Sequence, residues 1–252
     1  MREIGPDGFR VFEHDARTAR WAQAALESAR ETVAQEALHG PENLRHGKTW
    51  FVGVDALPND ADGCIKGVPL EGPWQDYVPQ LPLNPAQLSV IYQGYPQQDP
   101  QESDASHRFR RDRSAAHVDG LLPIGPERRR FAREFHAYIL SLPLNDVAAS
   151  PTVVWPQSQQ IMQHALRVAF GGRAPSDVDI TQAYTAARKR VFEECSPVPL
   201  TLHPGQSALL HPFILHGTQA WGPETDTTGE GRMIAFFRPE CAGGAPEWLA
   251  TP

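Results

Sequence analysis

The sequence contains few cysteines, no long apolar run and no excess of positive charge, and each shortage excludes a class of protein. Cys64, Cys195 and Cys241 are the three cysteines of a 252-residue chain and form no Cys-x-x-Cys pair, which argues against a disulfide framework and a structural zinc site. The longest apolar runs, such as residues 233–237, are too short to span a membrane. The start of the chain lacks the basic and apolar segments of a signal peptide. We therefore expect a cytoplasmic protein without a membrane partner.

Charge and composition narrow the class further. The formal net charge of −7 disfavours a general nucleic-acid binder. Hydrophobic residues make up 40% of the chain, and 24 prolines and 20 glycines are too few for a collagen-like or low-complexity sequence. The sequence shows no internal repeat and no long linker. We expect a single domain over residues 1–252 with one substantial core.

The order of the predicted elements indicates a β-rich fold with peripheral helices. A helix is predicted over residues 16–39, where apolar residues recur every three or four positions before Gly40 and Pro41. Strands are predicted at 49–54, 88–92, 137–142, 151–155, 198–203, 207–216 and 232–238, and further helices at 126–136, 158–170 and 176–194, the last with Ser176 as its N-cap. The polar segment 97–114 is interpreted as a mobile loop. This pattern is typical of a sandwich or barrel rather than a βαβ fold.

Two short motifs supply candidate metal ligands. His117 and Asp119 are two positions apart, so in extended backbone both side chains lie on the same face. His216 ends the apolar strand predicted over 207–216, a position with little structural reason for an imidazole. The three residues match a facial site of two histidines and one carboxylate, which suits Fe(II) and leaves coordination positions open. His211 faces the other way and is interpreted as a hydrogen-bonded core histidine, with a ligand role as the alternative.

The strand predicted over 232–238 carries an arginine at each end. By alternation, Arg232 and Arg238 lie on the same face of this strand. An arginine inside an apolar barrel is costly unless it meets an anion, and its planar fork suits a carboxylate. We therefore expect Arg232 to bind an anionic group, with a surface position as the alternative, and we expect Arg238 at the rim.

These segments follow one another in an order that is specific in combination. The series is His117-Val-Asp119-Gly120, residues 142–146, 150–156 and 205–218, and finally Arg232. It resembles the Fe(II)/2-oxoglutarate-dependent dioxygenases, in particular their phytanoyl-CoA dioxygenase-like branch. The resemblance implies a double-stranded β-helix, a jelly-roll or cupin-like fold, with its core at about residues 88–240. Two departures are the sequence Gln-Ser-Gln at 157–159, where family members often have Gly-Ser-His, and a longer gap before Arg232.

The resemblance also implies roles for individual residues. Its iron ligands would be His117, Asp119 and His216, and its 2-oxoglutarate residues would be Arg232, Thr218, Trp155 and Tyr92. Arg232 would bind the distal carboxylate of 2-oxoglutarate beside Thr218, and Trp155 would wall the pocket. A position in the aromatic core is the favoured alternative for Tyr92. The implied activity is hydroxylation or a related oxidation of a small organic substrate, with Fe(II), 2-oxoglutarate and O2.

The substrate and two rival functions stay open at this point. Eight arginines between residues 107 and 133 could attract an anionic substrate, although such charge runs usually belong to a solvated loop and helix face. Residues 97–114 could close over the site as a lid. One rival is a cupin-like hydrolase or isomerase that uses the same triad with another metal and needs no Arg232. The other is a catalytically silent ligand-binding or regulatory protein.

Overall fold

The computed structural model describes residues 3–39, 43–223 and 228–252, in which antiparallel strands alternate with helices and long connections. The strands are β1 (Phe9–Phe12), β2 (Leu44–Arg45), β3 (Trp50–Gly53), β4 (Gln87–Ile91), β5 (Leu121–Ile124), β6 (Arg129–Ala132), β7 (Ile139–Pro143), β8 (Thr152–Val154), β9 (Val198–Leu200), β10 (Ser207–Leu210), β11 (His216–Thr218) and β12 (Arg232–Phe237). The helices are α1 (Ala16–His39), α2 (Asp104–Asp112), α3 (Ser158–Phe170), α4 (Thr181–Glu194) and α5 (Gly244–Ala250), with 3-10 turns at Pro73–Asp76 and Pro175–Asp177. No helix within the described ranges is both long and apolar enough to cross a membrane.

Two antiparallel sheets form the frame of the fold. The larger sheet has seven strands in the order β1-β10-β7-β12-β4-β3-β2, and the smaller has three, in the order β11-β8-β9. A separate hairpin pairs β5 with β6. Several neighbouring strands, such as β1 and β10, are far apart in the sequence. The predicted architecture, mainly β with peripheral helices, is confirmed.

Each sheet buries one face under helices. The predicted helix over residues 16–39 is confirmed as α1, which packs on the large sheet, where the ring centroids of Trp21 and Phe237 are 5.5 Å apart. The indole nitrogen of Trp21 donates a hydrogen bond of 2.8 Å to the carbonyl of Gly63. On the small sheet, α3 and α4 share a buried cluster with Val153 and Trp155. The other face of the large sheet points into the interior of the molecule, towards the small sheet.

The register of the large sheet defines what this interior face carries. Arg232 on β12 lies opposite Ile91 on β4, which lies opposite Trp50 on β3. Four residues further along β12, Phe236 lies opposite Gln87. Opposite residues in an antiparallel pair project to the same side. The face therefore has an arginine at the start of β12 and a mixed polar and aromatic row near its end.

Two sequence predictions about secondary structure are wrong between residues 97 and 136. The segment 97–114 is not all loop, because α2 lies within it and begins after Ser103, whose hydroxyl accepts a hydrogen bond of 3.2 Å from the Ser106 amide. The helix predicted at 126–136 is instead strand β6 of a hairpin. A run of charged residues there has no apolar period of its own, and pairing with β5 decides its conformation.

Two further boundaries differ from prediction for local reasons. Ser176 lies in a 3-10 turn rather than at an N-cap, and α4 begins at Thr181, whose amide donates to Asp179 at 2.9 Å. The strand predicted over 207–216 is split into β10 and β11, which belong to different sheets. Between them the amide of Ile214 donates to the His211 carbonyl at 3.0 Å, so the chain turns as it crosses from one sheet to the other.

Candidate metal centre and adjoining cavity

Backbone pairing brings the two predicted histidine ligands together. His117 and His216 form an isolated antiparallel bridge, with N–H···O distances of 2.8 Å and 3.0 Å. The bridge requires Gly217, because a Cβ there would lie 2.0 Å from the carbonyl oxygen of Ser114. Because glycine has no side chain, the segment before His117 can lie directly against Gly217 of β11.

A second glycine shapes the turn after the carboxylate. Gly120 has a φ of +76°, and a Cβ at this position would lie 2.3 Å from the carbonyl oxygen of Glu134. Any other residue would be strained in conformation and would collide with the backbone. The turn directs Asp119 back towards the two histidines.

The three predicted ligands converge on one point. Nε2 of His117 lies 3.2 Å from Oδ1 of Asp119, and Nε2 of His216 lies 3.6 Å from Oδ2 of the same carboxylate. One ligand atom from each residue lies within 4.8 Å of the others. Because metal–ligand bonds to nitrogen and oxygen are about 2.0–2.2 Å long, one ion fits among these atoms with small adjustments.

Hydrogen bonds to the backbone orient both imidazoles for metal binding. Nδ1 of His117 lies 3.0 Å from the carbonyl oxygen of Ala115, and Nδ1 of His216 lies 3.0 Å from that of Ile214. A carbonyl oxygen only accepts, so each Nδ1 carries the hydrogen and donates it. Nε2 is then the nitrogen that a metal can bind, as in other histidine sites with a carbonyl partner.

Charge stabilises the carboxylate at the centre of the triad. The Asp119 side chain is 10% exposed, and Nη1 of Arg238 donates to its Oδ2 at 3.2 Å. Burial alone would raise the pKa of Asp119, but Arg238 and His216 outweigh it and hold the pKa well below the ordinary value. Burial would likewise lower the pKa of His216, and Asp119 reverses this and raises it. Asp119 is therefore ionised at neutral pH, which is the form that binds a metal cation.

A cavity of about 310 Å³ opens beside the triad, between the two sheets. Besides the triad and Thr218, its lining includes Arg45, Trp50, Gln87, Ser89, Tyr95, Glu134, Thr152, Phe236 and Arg238. Sequence reasoning missed most of these residues. Alternation along the predicted strands could have indicated Ser89 and Thr152, whereas Trp50 and Tyr95 carry no motif that distinguishes them from core aromatics.

Arg232 is buried with its charge unsatisfied. The residue is 4% exposed, and all three guanidinium nitrogens lack a hydrogen-bond partner among the described residues. Burial lowers its pKa to about 10. Arg232 projects from the same face of β12 as Phe236 and Arg238, which line the cavity, but Arg232 itself lines a separate small pocket of about 10 Å³ with Ile234. A buried cation without a partner destabilises the folded protein, and a bound anion beside Arg232 would offset this effect.

Two predicted cosubstrate residues lie elsewhere. Tyr92 is half-buried and packs on the cluster beneath α1, on the opposite side of the sheet from Ser89. Trp155 is 2% exposed and packs edge-on against Phe192 of α4, with ring centroids 5.7 Å apart. Neither belongs to the cavity lining described above. Each is one strand position out of phase with the residues that do line it, and a one-residue step reverses the face. Thr218 does line the cavity.

The structure agrees with the expectation for His211 and differs from the expectation for Arg238. His211 lies in the core, with Nε2 3.0 Å from the Pro252 carbonyl and Nδ1 accepting from the Phe213 amide at 3.1 Å, as predicted for a structural histidine. Burial lowers its pKa to about 4. Arg238 was expected at the rim, but its side chain is 23% exposed and bonds to Asp119. The strand β12 ends at Phe237, one residue before the predicted end, and the Arg238 side chain still turns inward to Asp119.

The eight arginines between residues 107 and 133 do not line the cavity, although His117 and Asp119 of the same segment do. Arg110 pairs with Glu102 at 3.4 Å and lies over the ring of Trp50. Arg130 donates to the Leu121 carbonyl at 2.8 Å. None of the eight arginines between residues 107 and 133 is among the described lining residues. The structure therefore does not support recognition of an anion in the cavity by these arginines.

Comparison with known proteins agrees with the fold. No family model and no curated protein matches this chain. The crystal structure of EctD from S. alaskensis with bound Fe matches over 96% of this chain and 75% of that chain, with 16% identity and a TM-score of 0.50. The structure of the same protein with 2-oxoglutarate and 5-hydroxyectoine matches over 96% and 74%, with 15% identity and a TM-score of 0.50. The predicted jelly-roll fold class is thereby confirmed. Fold and site together define a jelly-roll protein with a candidate metal triad between its sheets.

Proposed function

We propose that this chain is an Fe(II)/2-oxoglutarate-dependent oxygenase, a single domain that hydroxylates or otherwise oxidises a small organic substrate. One observation carries the proposal. A facial triad of two histidines and a carboxylate lines the cavity, and the strand face of β12 that lines the same cavity through Phe236 also carries Arg232, a buried guanidinium that lacks a hydrogen-bond partner among the described residues. The triad suits Fe(II), and the guanidinium suits the carboxylate of an oxoacid.

The residues present fit both groups. His117, Asp119 and His216 would hold Fe(II), and because they are only three, coordination positions stay open for other ligands. Arg232 would bind the distal carboxylate of 2-oxoglutarate, with Thr218 as a hydroxyl neighbour. When bound, Fe(II) with 2-oxoglutarate and O2 supplies an oxidant for the substrate while the oxoacid becomes succinate and CO2.

The protein itself contributes orientation and exclusion of water. The two Nδ1–H···O=C bonds fix the direction of each Nε2, and the bridge between His117 and His216 fixes their spacing. Trp50, Tyr95 and Phe236 give the cavity aromatic walls, which limit the access of water to the reacting groups. Such preorganisation is what a protein adds to chemistry that a cofactor performs.

The substrate is proposed to be a small molecule. A cavity of about 310 Å³ lies at the lower end of the roughly 300–1,000 Å³ range of ligand pockets. Anionic character of the substrate is supported by Arg45 at the cavity wall, because Arg238 is paired with Asp119 and the eight arginines between residues 107 and 133 are not in the described lining. The EctD structure holds 5-hydroxyectoine, a small molecule, in the same fold.

The proposed function has a direct spectroscopic test. Fe(II) and then 2-oxoglutarate are added to the purified protein without oxygen, and the visible absorption spectrum is recorded. We expect a weak, broad charge-transfer band that requires both additions. Arg232→Met should keep bound iron and lose the band at the same 2-oxoglutarate concentration. Arg20→Met removes an exposed arginine of α1 and should leave the band unchanged.

The other outcomes separate the rivals. Bound iron without a band in the wild-type protein would favour the cupin-like hydrolase or isomerase, which has no use for Arg232. Neither iron nor band would favour a ligand-binding or regulatory protein. A band without succinate formation from any substrate pool would favour a silent site that keeps its ligands.

A further inference from the structure

Arg238 connects the triad to the large sheet. It follows directly after β12, and its Nη1 donates to Oδ2 of Asp119 at 3.2 Å. Its Nη2 donates to the side-chain carbonyl of Gln87 on β4. We propose that Gln87 and Arg238 form a clamp that positions the Asp119 carboxylate for metal binding. The inference rests on the proposed function, since it concerns the same metal.

Asp119 needs such a clamp because its own backbone is not held in a sheet. It lies between the bridge at His117 and the turn at Gly120, outside any helix or strand. Among the described residues, the hydrogen bond that reaches its carboxylate from outside the triad comes from Arg238. Oδ2 is the oxygen that Arg238 binds, whereas Oδ1 lies 3.2 Å from Nε2 of His117. The clamp thus distinguishes the two oxygens of the ligand.

Arg238 is itself held at both its backbone and its side chain. Nδ1 of His136 lies 3.1 Å from the Arg238 carbonyl, and Pro239 accepts a backbone hydrogen bond of 2.8 Å from Ala137. At the other end, Gln87 fixes the second nitrogen of the guanidinium. A fork with both nitrogens engaged has one orientation. Arg238 therefore has the rigidity that a positioning residue requires.

Positioning and simple electrostatics predict opposite effects on metal affinity. A cation beside a metal site repels a divalent ion, so removal of the charge alone would strengthen metal binding. Loss of a hydrogen bond that orients a ligand weakens metal binding, typically by about 10–100-fold. The sign of the change therefore identifies the role of Arg238.

The test measures binding of Co(II), a spectroscopic substitute for Fe(II), without 2-oxoglutarate or turnover. We expect Arg238→Met to raise the Co(II) dissociation constant by about 10–100-fold and to alter the visible Co(II) spectrum. Arg238→Lys keeps the charge but not the fork and should recover only part of the affinity. Gln87→Met should weaken binding less than Arg238→Met. The double variant should be no weaker than Arg238→Met, because both residues act through one clamp.

Controls keep the outcomes distinct. Arg133→Met removes an exposed arginine that lies over Phe131 and should not change the Co(II) affinity. Thermal unfolding of each metal-free variant identifies any that fails to fold, and Gln87→Met and Arg238→Lys carry the test if Arg238→Met does. Unchanged or tighter Co(II) binding in Arg238→Met, or additive effects in the double variant, would overturn the clamp. A wild-type protein that binds neither Co(II) nor Fe(II) would overturn the proposed function as well.

Discussion

Replacement of Arg232 by Met is expected to stabilise the protein when 2-oxoglutarate is absent. Burial lowers the pKa of Arg232 from 12.5 to about 10, and each unit corresponds to about 1.4 kcal/mol. Both values lie above neutral pH, so the residue is charged in the folded and unfolded chains. Burial of the charge destabilises the folded state only, so it lowers the free energy of unfolding by about 3 kcal/mol. A methionine of similar length carries no charge and avoids this cost.

The same substitution should abolish stabilisation by 2-oxoglutarate. Binding to the folded state adds about 2.7 kcal/mol of unfolding free energy when the ligand is at a hundredfold excess over its dissociation constant. The wild-type protein should show this gain, and Arg232→Met should not. Without ligand the variant is the more stable protein, and with ligand its advantage largely disappears.

Urea unfolding, with and without 2-oxoglutarate, measures both effects. The experiment is performed without oxygen and with Fe(II) present in all samples. Arg130→Met is the control, because Arg130 is half-buried and, unlike Arg232, has partners: it donates to the Leu121 carbonyl and lies over the ring of Tyr184. Its loss should destabilise the protein and leave the effect of 2-oxoglutarate intact. An Arg232→Met variant that is less stable than wild type without ligand, or that gains equally from 2-oxoglutarate, would refute the reasoning.

Three further predictions follow from individual contacts. Gly217→Ala places a Cβ 2.0 Å from the Ser114 carbonyl oxygen, so it should separate the two histidines and abolish metal binding measured by metal analysis. Gly243→Ala, whose Cβ would meet only the Glu247 side chain and no closer than 3.1 Å, should retain the metal. Asp119→Ala should also lose the metal, since two histidines alone hold Fe(II) poorly, and unchanged metal content would remove the triad assignment. His211 has a pKa lowered from 6.5 to about 4 by burial, so the unfolded chain takes up its proton first as pH falls. The contribution of neutral His211 to the free energy of unfolding is therefore complete above about pH 6.5, and it declines by about 3 kcal/mol as the pH falls towards 4. His211→Asn should flatten unfolding free energy against pH in that window, and an identical slope would contradict this.

Local patterns in the sequence carry part of the candidate site. His117 and Asp119 share a face because extended backbone alternates, and this is independent of what the segment packs against. Arg232 could be assigned to an interior face because a guanidinium on an apolar strand has few alternatives. The helix over residues 16–39 was predictable for a similar reason, since its apolar period is contained within the segment itself.

Tertiary structure decided the features that depend on partners far away in the chain. The segment at 129–132 became a strand because β5 was there to pair with it, although its own residues suggested a helix. Tyr92 and Trp155 face away from the cavity because strand register sets the phase, and register depends on neighbouring strands.

The contact between Arg238 and Asp119 shows the same limit most clearly. The two residues are 119 positions apart, and no local pattern relates them. Their distance results from the pairing of β12 with β4 and from the turn at Gly120 that carries Asp119 inward. The sequence by itself determined which residue types could bind a metal and an oxoacid. Only the folded chain decided which of them meet, because long-range strand pairing and close backbone packing set those distances.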